Sequence, residues 1–241
     1  MVSVKIYKIN PKFANNFNNW LLRIGNRGVE YRKESFREEE FSLKFYIMDR
    51  IKNDYGIFYE TQIDEIIKLY NVEKKEFLNK VSKPVSFQVY NEGNIENYLG
   101  IFYTGNDYKL FLDVISSIFN EKKILYDVIF ELYKKKNDLT KIFKEIKEFR
   151  AKNLLDDSEK DVSIRGIQLQ SSMAWSRYLE ELEGKLENIR VKYGNIYVTI
   201  SSSGVISSRF KDFEEKKEEY IYNILKDLIE IDFIIEFLLY L

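Results

Sequence analysis

Glu65-Ile66-Ile67-Lys68-Leu69-Tyr70-Asn71-Val72-Glu73-Lys74-Lys75-Glu76-Phe77-Leu78-Asn79-Lys80-Val81 is the stretch on which the fold assignment turns. With Ile63 before it, Ile66, Ile67 and Tyr70 fall at i, i+3, i+4 and i+7, the spacing of a helix that buries one stripe. Asn71 sits where a tight turn accepts positive φ, and Val72 follows as an apolar residue to drop between two helices. Phe77 and Val81 lie one helical turn apart. The pattern predicts a helix-turn-helix with Lys74, Lys75, Asn79 and Lys80 exposed on the second helix.

The flanking sequence extends that expectation. Ser35, with Glu38 three residues on, forms a capping box and predicts a helix through Phe41, Leu43, Phe45, Met48 and Ile51, closed by Gly56. Ile57 to Tyr59 is a short β-branched and aromatic run, and Thr61 is placed to cap the next helix. Beyond Val81, Pro84 stops the helix. Val85 to Tyr90 and Tyr98 to Tyr103 then read as two strands around the turn residues Asn91 to Asn94.

Helix, short strand, helix, turn, helix, strand, turn, strand is the order of a winged helix, and the stretch from about Ser35 to Thr104 resembles the winged helix-turn-helix family. The chain departs from that pattern at Ile67, where the family has a small residue, and at Glu73, where it has a Ser or Thr cap. The resemblance implies double-stranded DNA as partner. A recognition helix would carry Lys74, Lys75, Lys80 and Lys83 to phosphates and Asn79 to an adenine edge.

Around this core the chain predicts a strand over Val2 to Ile9, and a helix over Phe13 to Ile24 stopped by the basic loop at Gly25 to Gly28. Three helices are expected at Tyr108 to Phe119, Lys122 to Tyr133 and Leu139 to Arg150. An acidic linker follows at Leu154 to Asp161, and then a helix face from Trp175 to Ile189. Tyr193-Gly194-Asn195 marks a hairpin between Ile189 to Lys192 and Ile196 to Ile200, and Ser201 to Gly204 a further turn. From Phe210 to the C-terminus one long helix is expected. Its Ile221, Ile224, Leu228, Ile231, Ile235 and Leu238 repeat at spacings of three and four, the a/d seam of a homodimeric coiled coil.

The resulting expectation is an α+β, mostly helical protein in three segments: residues 1-34, a winged-helix domain at 35-105, and a helical dimerisation module at 106-241 carrying a β-hairpin and a long C-terminal helix. Candidate phosphate contacts outside the motif are Arg27 and Arg32 in the basic loop and Lys141, Lys144 and Lys147 in a basic run.

Composition bounds the chemistry. The 241 residues include no Cys and no His, which excludes disulfides, thiol nucleophiles, histidine triads and Cys or His metal ligands. The residues point to no enzyme, no cofactor and no metal site. Carboxylate-bound Mg²⁺ chemistry, as in a nuclease or DNA-processing component, remains open because Asp and Glu are plentiful, and no paired carboxylate and lysine motif on adjacent strands supports it. A net charge of -1 means that any polyanion site must arise from local segregation of charge. A structural or assembly protein, making protein contacts through the winged helix and C-terminal helix, is the alternative reading. The N-terminus has no apolar h-region, and the terminal run is interrupted by Glu230, Asp232 and Glu236, so a cytoplasmic protein without a membrane span is expected.

Overall fold

The computed structural model describes residues 2–24, 28–36, 39–70, 76–103, 107–119, 124–132, 136–152, 154 and 160–238. These residues form one antiparallel sheet of 13 strands with helices on its faces, which overturns the expectation of a mostly helical winged-helix fold.

β1 (Val2–Ile9) and α1 (Ala14–Arg23) are followed by four strands: β2 (Val29–Phe36), β3 (Glu39–Asn53), β4 (Gly56–Tyr70) and β5 (Glu76–Tyr90). β6 (Tyr98–Tyr103), α2 (Asp107–Phe119) and β7 (Leu125–Phe130) complete the first half. β5, β6, β1 and β7 lie side by side, each antiparallel to its neighbour, with α1 and α2 packed against one face. That is the split β-α-β arrangement of ferredoxin-like folds, here extended beyond β5 by the meander β4, β3 and β2.

The expected helix-turn-helix is therefore a long β-hairpin. β4 and β5 pair from Gly56↔Tyr90 to Tyr70↔Glu76, so Glu65 lies opposite Val81 and Ile67 opposite Asn79. Residues 71–75, which hold the expected turn at Asn71 and the start of the expected recognition helix with Lys74 and Lys75, lie outside the described residues. The physical reason is the β-branched content of both arms: Ile57, Thr61, Ile63, Ile66 and Ile67 in one, Val81, Val85 and Val89 in the other. Such side chains fit a pleated surface and lose rotamer freedom in a helix. The helix expected from the capping box at Ser35 is likewise strand, Ser35 pairing with Glu40, while Glu38 lies outside the described residues.

The second half runs α3 (Lys136–Ile142), β8 (Ile146–Lys152), β9 (Asp161–Arg165), α4 (Met173–Ser176), β10 (Lys185–Tyr193), β11 (Ile196–Ser201), β12 (Val205–Ser208), α5 (Lys211–Glu215), α6 (Lys217–Glu230) and β13 (Ile234–Leu238). The helix expected at Lys122 to Tyr133 is thus β7, that at Leu139 to Arg150 divides into α3 and β8, and that at Trp175 to Ile189 is helical only as far as Glu181, α4 continuing into a π-helical turn at Arg177–Glu181 before β10 begins at Lys185. Of the expected linker, Leu154 is buried, Asp161 begins β9, and 155–159 lie outside the described residues.

The C-terminal seam also changes role. Ile221, Ile224 and Leu228 of α6 are fully buried in the chain's own core, in one cluster with Val4, Ile6, Ile200 and Ile206 of the sheet. The helix ends at Glu230, and Asp232 takes a left-handed φ of 53°. Ile235 and Leu238 then pair with Ile129 and Tyr126 across β13 and β7, and Ile231 packs half-buried against the same core. No coiled coil forms, because the stripe is used against the sheet.

The two halves join at β1, whose one edge changes partner midway: Val2 to Lys5 pair with β12, and Tyr7 to Ile9 with β7. Gly204 makes this possible. It adopts φ 72° in the β11–β12 turn, where a Cβ would come within 2.0 Å of the Val128 carbonyl oxygen, and its own carbonyl accepts from the Ile6 amide at 2.9 Å. Among the described residues, no helix is long and apolar enough to cross a membrane.

Candidate functional site

The sheet has one face that both halves bury and one that they treat differently. Val4 and Ile6 of β1 continue into Ile206, Ile200, Val198, Ile189 and Phe149, all buried in the core that contains α6. On the opposite face, Tyr7, Ile9, Phe87, Leu99 and Ile101 lie under α1 and α2. Past β1 that face carries polar residues, and among the described residues no helix packs over them. Alternation dictates the result: in β11, Ile196, Val198 and Ile200 are buried while Tyr197, Thr199 and Ser201 are half-exposed.

Strand register aligns residues of this face into a row, at least half-exposed throughout except for the buried Ser3. Tyr103 of β6 is opposite Ser3, Ser3 opposite Ser207, Ser207 opposite Thr199, Thr199 opposite Arg190, Arg190 opposite Glu148, and Glu148 opposite Arg165. Neighbouring strands lie about 4.8 Å apart, so the row spans about 29 Å across seven strands.

Its cationic end borders a groove of about 290 Å³, lined by Glu148, Arg165, Arg190, Tyr197 and Arg209 among others. An adjoining hollow of about 350 Å³ adds Lys147 and Gly166. Tyr197 is the centre: the Arg190 guanidinium lies 5.6 Å and the Lys147 ammonium 5.8 Å from its ring centroid, and the Phe210 ring centroid lies 6.0 Å away. Arg165 Nε is 3.1 Å from Glu148, and Lys147 is 2.9 Å from Glu145, so each of these cations has a carboxylate partner. Lys147 holds the Glu145 carboxyl below its ordinary range by hydrogen bonding, and Glu145 raises Lys147 in return. Arg190 and Arg209 form no ion pair among the described residues. Farther along the face, Arg150 bridges Glu187 at 3.2 Å and Asp161 at 3.6 Å, and Lys152 also pairs with Glu187.

The sequence-predicted residues are mostly elsewhere. Asn79, Lys80 and Lys83 are on β5 and do not form a recognition helix. Lys80 is 3.3 Å from the buried Asp64, which also accepts from Ser82 Oγ at 2.6 Å. Lys83 is 2.7 Å from Glu65 and 3.7 Å from Asp107, and the hydrogen bond to Glu65 raises its pKa. Arg32 of β2 pairs with Glu34 at 2.8 Å, and Arg27 lies outside the described residues. Lys141 pairs with Asp138 within α3, while the Lys144 carbonyl accepts from Gln170 at 3.1 Å. Of the candidates among the described residues, Lys147 alone lines the hollow beside Tyr197.

No protein-family model matches this chain, and no curated protein matches it. Chemistry at the groove must therefore be argued from its own residues, the more so because ferredoxin-like sheets host many unrelated functions. Arg190, Arg165, Arg209 and Tyr197 are the residues that sequence reasoning missed. The available signal was the polar set at alternate positions in Asn188 to Lys192 and Tyr197 to Ser201. Among the described residues, no group of three or more carboxylates is placed to hold a metal ion.

Proposed function

We propose that this protein binds single-stranded nucleic acid across the open half of its sheet, with phosphates at Arg190, Arg209 and Lys147 and a base stacked on Tyr197. The observation that carries this reading is that Arg190 and Arg209, with no carboxylate partner among the described residues, flank an accessible aromatic ring on an uncovered sheet face. A guanidinium offers a planar fork to phosphate, and an aromatic ring stacks on any base, so the pair recognises a strand without reading its sequence. The hydroxyls of Ser207 and Thr199 continue the row as hydrogen-bond partners for sugar and phosphate. A flat face of this kind presents no helix or ribbon for a duplex groove, which favours the single strand over the double-stranded DNA that a recognition helix would have required.

The test is fluorescence anisotropy with a labelled strand of about 20 nucleotides and with its duplex. Neutralising about three phosphates gives a slope near -2 in log affinity against log salt. The double variant Arg190→Glu with Arg209→Glu should lose at least about tenfold in affinity at low salt, with an unchanged melting temperature. Equal binding by variant and wild type, or tighter binding of duplex than of strand, overturns the proposal.

A further inference from the structure

We infer that the track has a second stacking platform at its far end, the Tyr103–Tyr108 pair, and that the row from this pair to Arg165 sets a footprint of about six nucleotides. This rests on the strand-binding reading above and adds to it where a bound strand ends. Tyr103 begins the row that leads through Ser3, Ser207 and Thr199 to Arg190. Its ring centroid is 4.8 Å from that of Tyr108, the second residue of α2, at an interplanar angle of 55°. Both rings are half-exposed at the line where α2 stops covering the face.

The ground beneath them is polar. Lys5 is buried, pairs with Asp127, donates to the Ser203 carbonyl and lies 5.1 Å from the Tyr7 ring centroid. The Asp127 carboxylate is thus matched by an ammonium within the sheet and does not face an approaching phosphate alone. From Tyr103 on β6 to β11 is three strand steps, about 14 Å, and Tyr197 stands two residues, about 7 Å, along β11 from Thr199, the row's member on that strand. A single strand crossing the β-strands at a slant meets an aromatic ring at each end of this stretch, with the small hydroxyl residues Ser3 and Ser207 on the two strands between them. Ser207 and Thr199 are half-exposed along this path, while Ser3 is buried. The whole row, at about 29 Å, belongs at the lower end of the ~4 to 16 nucleotides that open single-strand sites occupy.

The experiment is a length series of labelled oligothymidylates, from about three to twelve nucleotides, on the full chain and two variants. Wild-type affinity should climb to about six nucleotides and then level off. Tyr103→Leu, which keeps bulk in the half-buried position but removes the π face, should bind the shortest oligomers as wild type does and fall about tenfold behind at six. Tyr103→Phe should restore the full curve, because it keeps the stacking ring. If Tyr103→Leu follows the wild-type curve at every length while the Arg190→Glu variant is impaired, the second platform is overturned and the strand-binding reading stands. If the wild type binds none of the oligomers, both are overturned.

Discussion

The two halves of the sheet use the same antiparallel pairing but bury it differently. Next to β1, in β4 to β6, both faces are covered: Tyr59, Phe87 and Ile101 under α1 and α2, and Phe58, Tyr90 and Phe102 on the opposite side. From β8 to β12 the shared core takes one face, and the other holds Arg190, Tyr197, Thr199 and Ser207. A strand buried twice is constrained at every residue, whereas a strand buried once leaves every second position free for recognition. The same backbone therefore serves as scaffold in one half and as candidate binding surface in the other.

Substitutions separate those roles. Phe87 is fully buried, stacked on Tyr59 at 4.7 Å and packed on Phe111 at the same centroid distance. Phe87→Ala should lower unfolding free energy by about 3–5 kcal/mol, through lost burial and the cavity left behind. Thr199→Ala, at the matching depth of the open half, should change it by no more than about 0.5 kcal/mol. Urea denaturation of both variants gives the contrast, and equal costs would end it.

A smaller effect is expected at the helix that covers the shared face. Ile224 of α6 is fully buried within the sheet's own core. Ile224→Ala should cost about 2–4 kcal/mol. That loss should be independent of protein concentration, since contacts within one chain do not follow mass action. Denaturation midpoints at two widely separated concentrations check this. A loss that shrinks as concentration rises would return the α6 stripe to an interface between chains.

Legibility followed the same division. β1, α1, α2 and the hairpin at Tyr193 to Asn195 could be found from local pattern, because each has one buried face or a definite turn residue. The β4–β5 hairpin could not. Where both faces of a strand are partly apolar, the period-two signal fades. Ile63, Ile66, Ile67 and Tyr70 then satisfy a helical template by coincidence. The end of α6 was equally hidden: Asp232, rather than a Gly or Pro, supplies the left-handed residue after Glu230, so an apolar repeat ran on from helix into β13 without visible punctuation. At the candidate site, Lys147 was found from its basic run. Arg165, Arg190 and Arg209 were not, because their meeting depends on which sheet face lacks a helix, a property of tertiary packing.

The closed half should also differ in its response to alkali. Tyr31 of β2 is buried, donates to the Asp64 carbonyl, and has its pKa raised to about 12, chiefly by burial. A raised tyrosine pKa means that the fold favours the neutral phenol. Its contribution is complete below the ordinary value near 10 and is lost as pH rises from there towards 12, because the unfolded chain ionises first. For a shift of this size the loss is on the order of 2 kcal/mol. Burial likewise raises Tyr59 and Tyr90, so the wild type should lose stability steeply above pH 10. Tyr31→Phe should be less stable at neutral pH, by about 1 kcal/mol for the missing hydrogen bond, yet lose less between pH 10 and 12. Urea midpoints of both proteins across that range decide the matter. Parallel curves would show that Tyr31 does not hold its neutral form through burial, and that the covered half is more open to water than its packing implies.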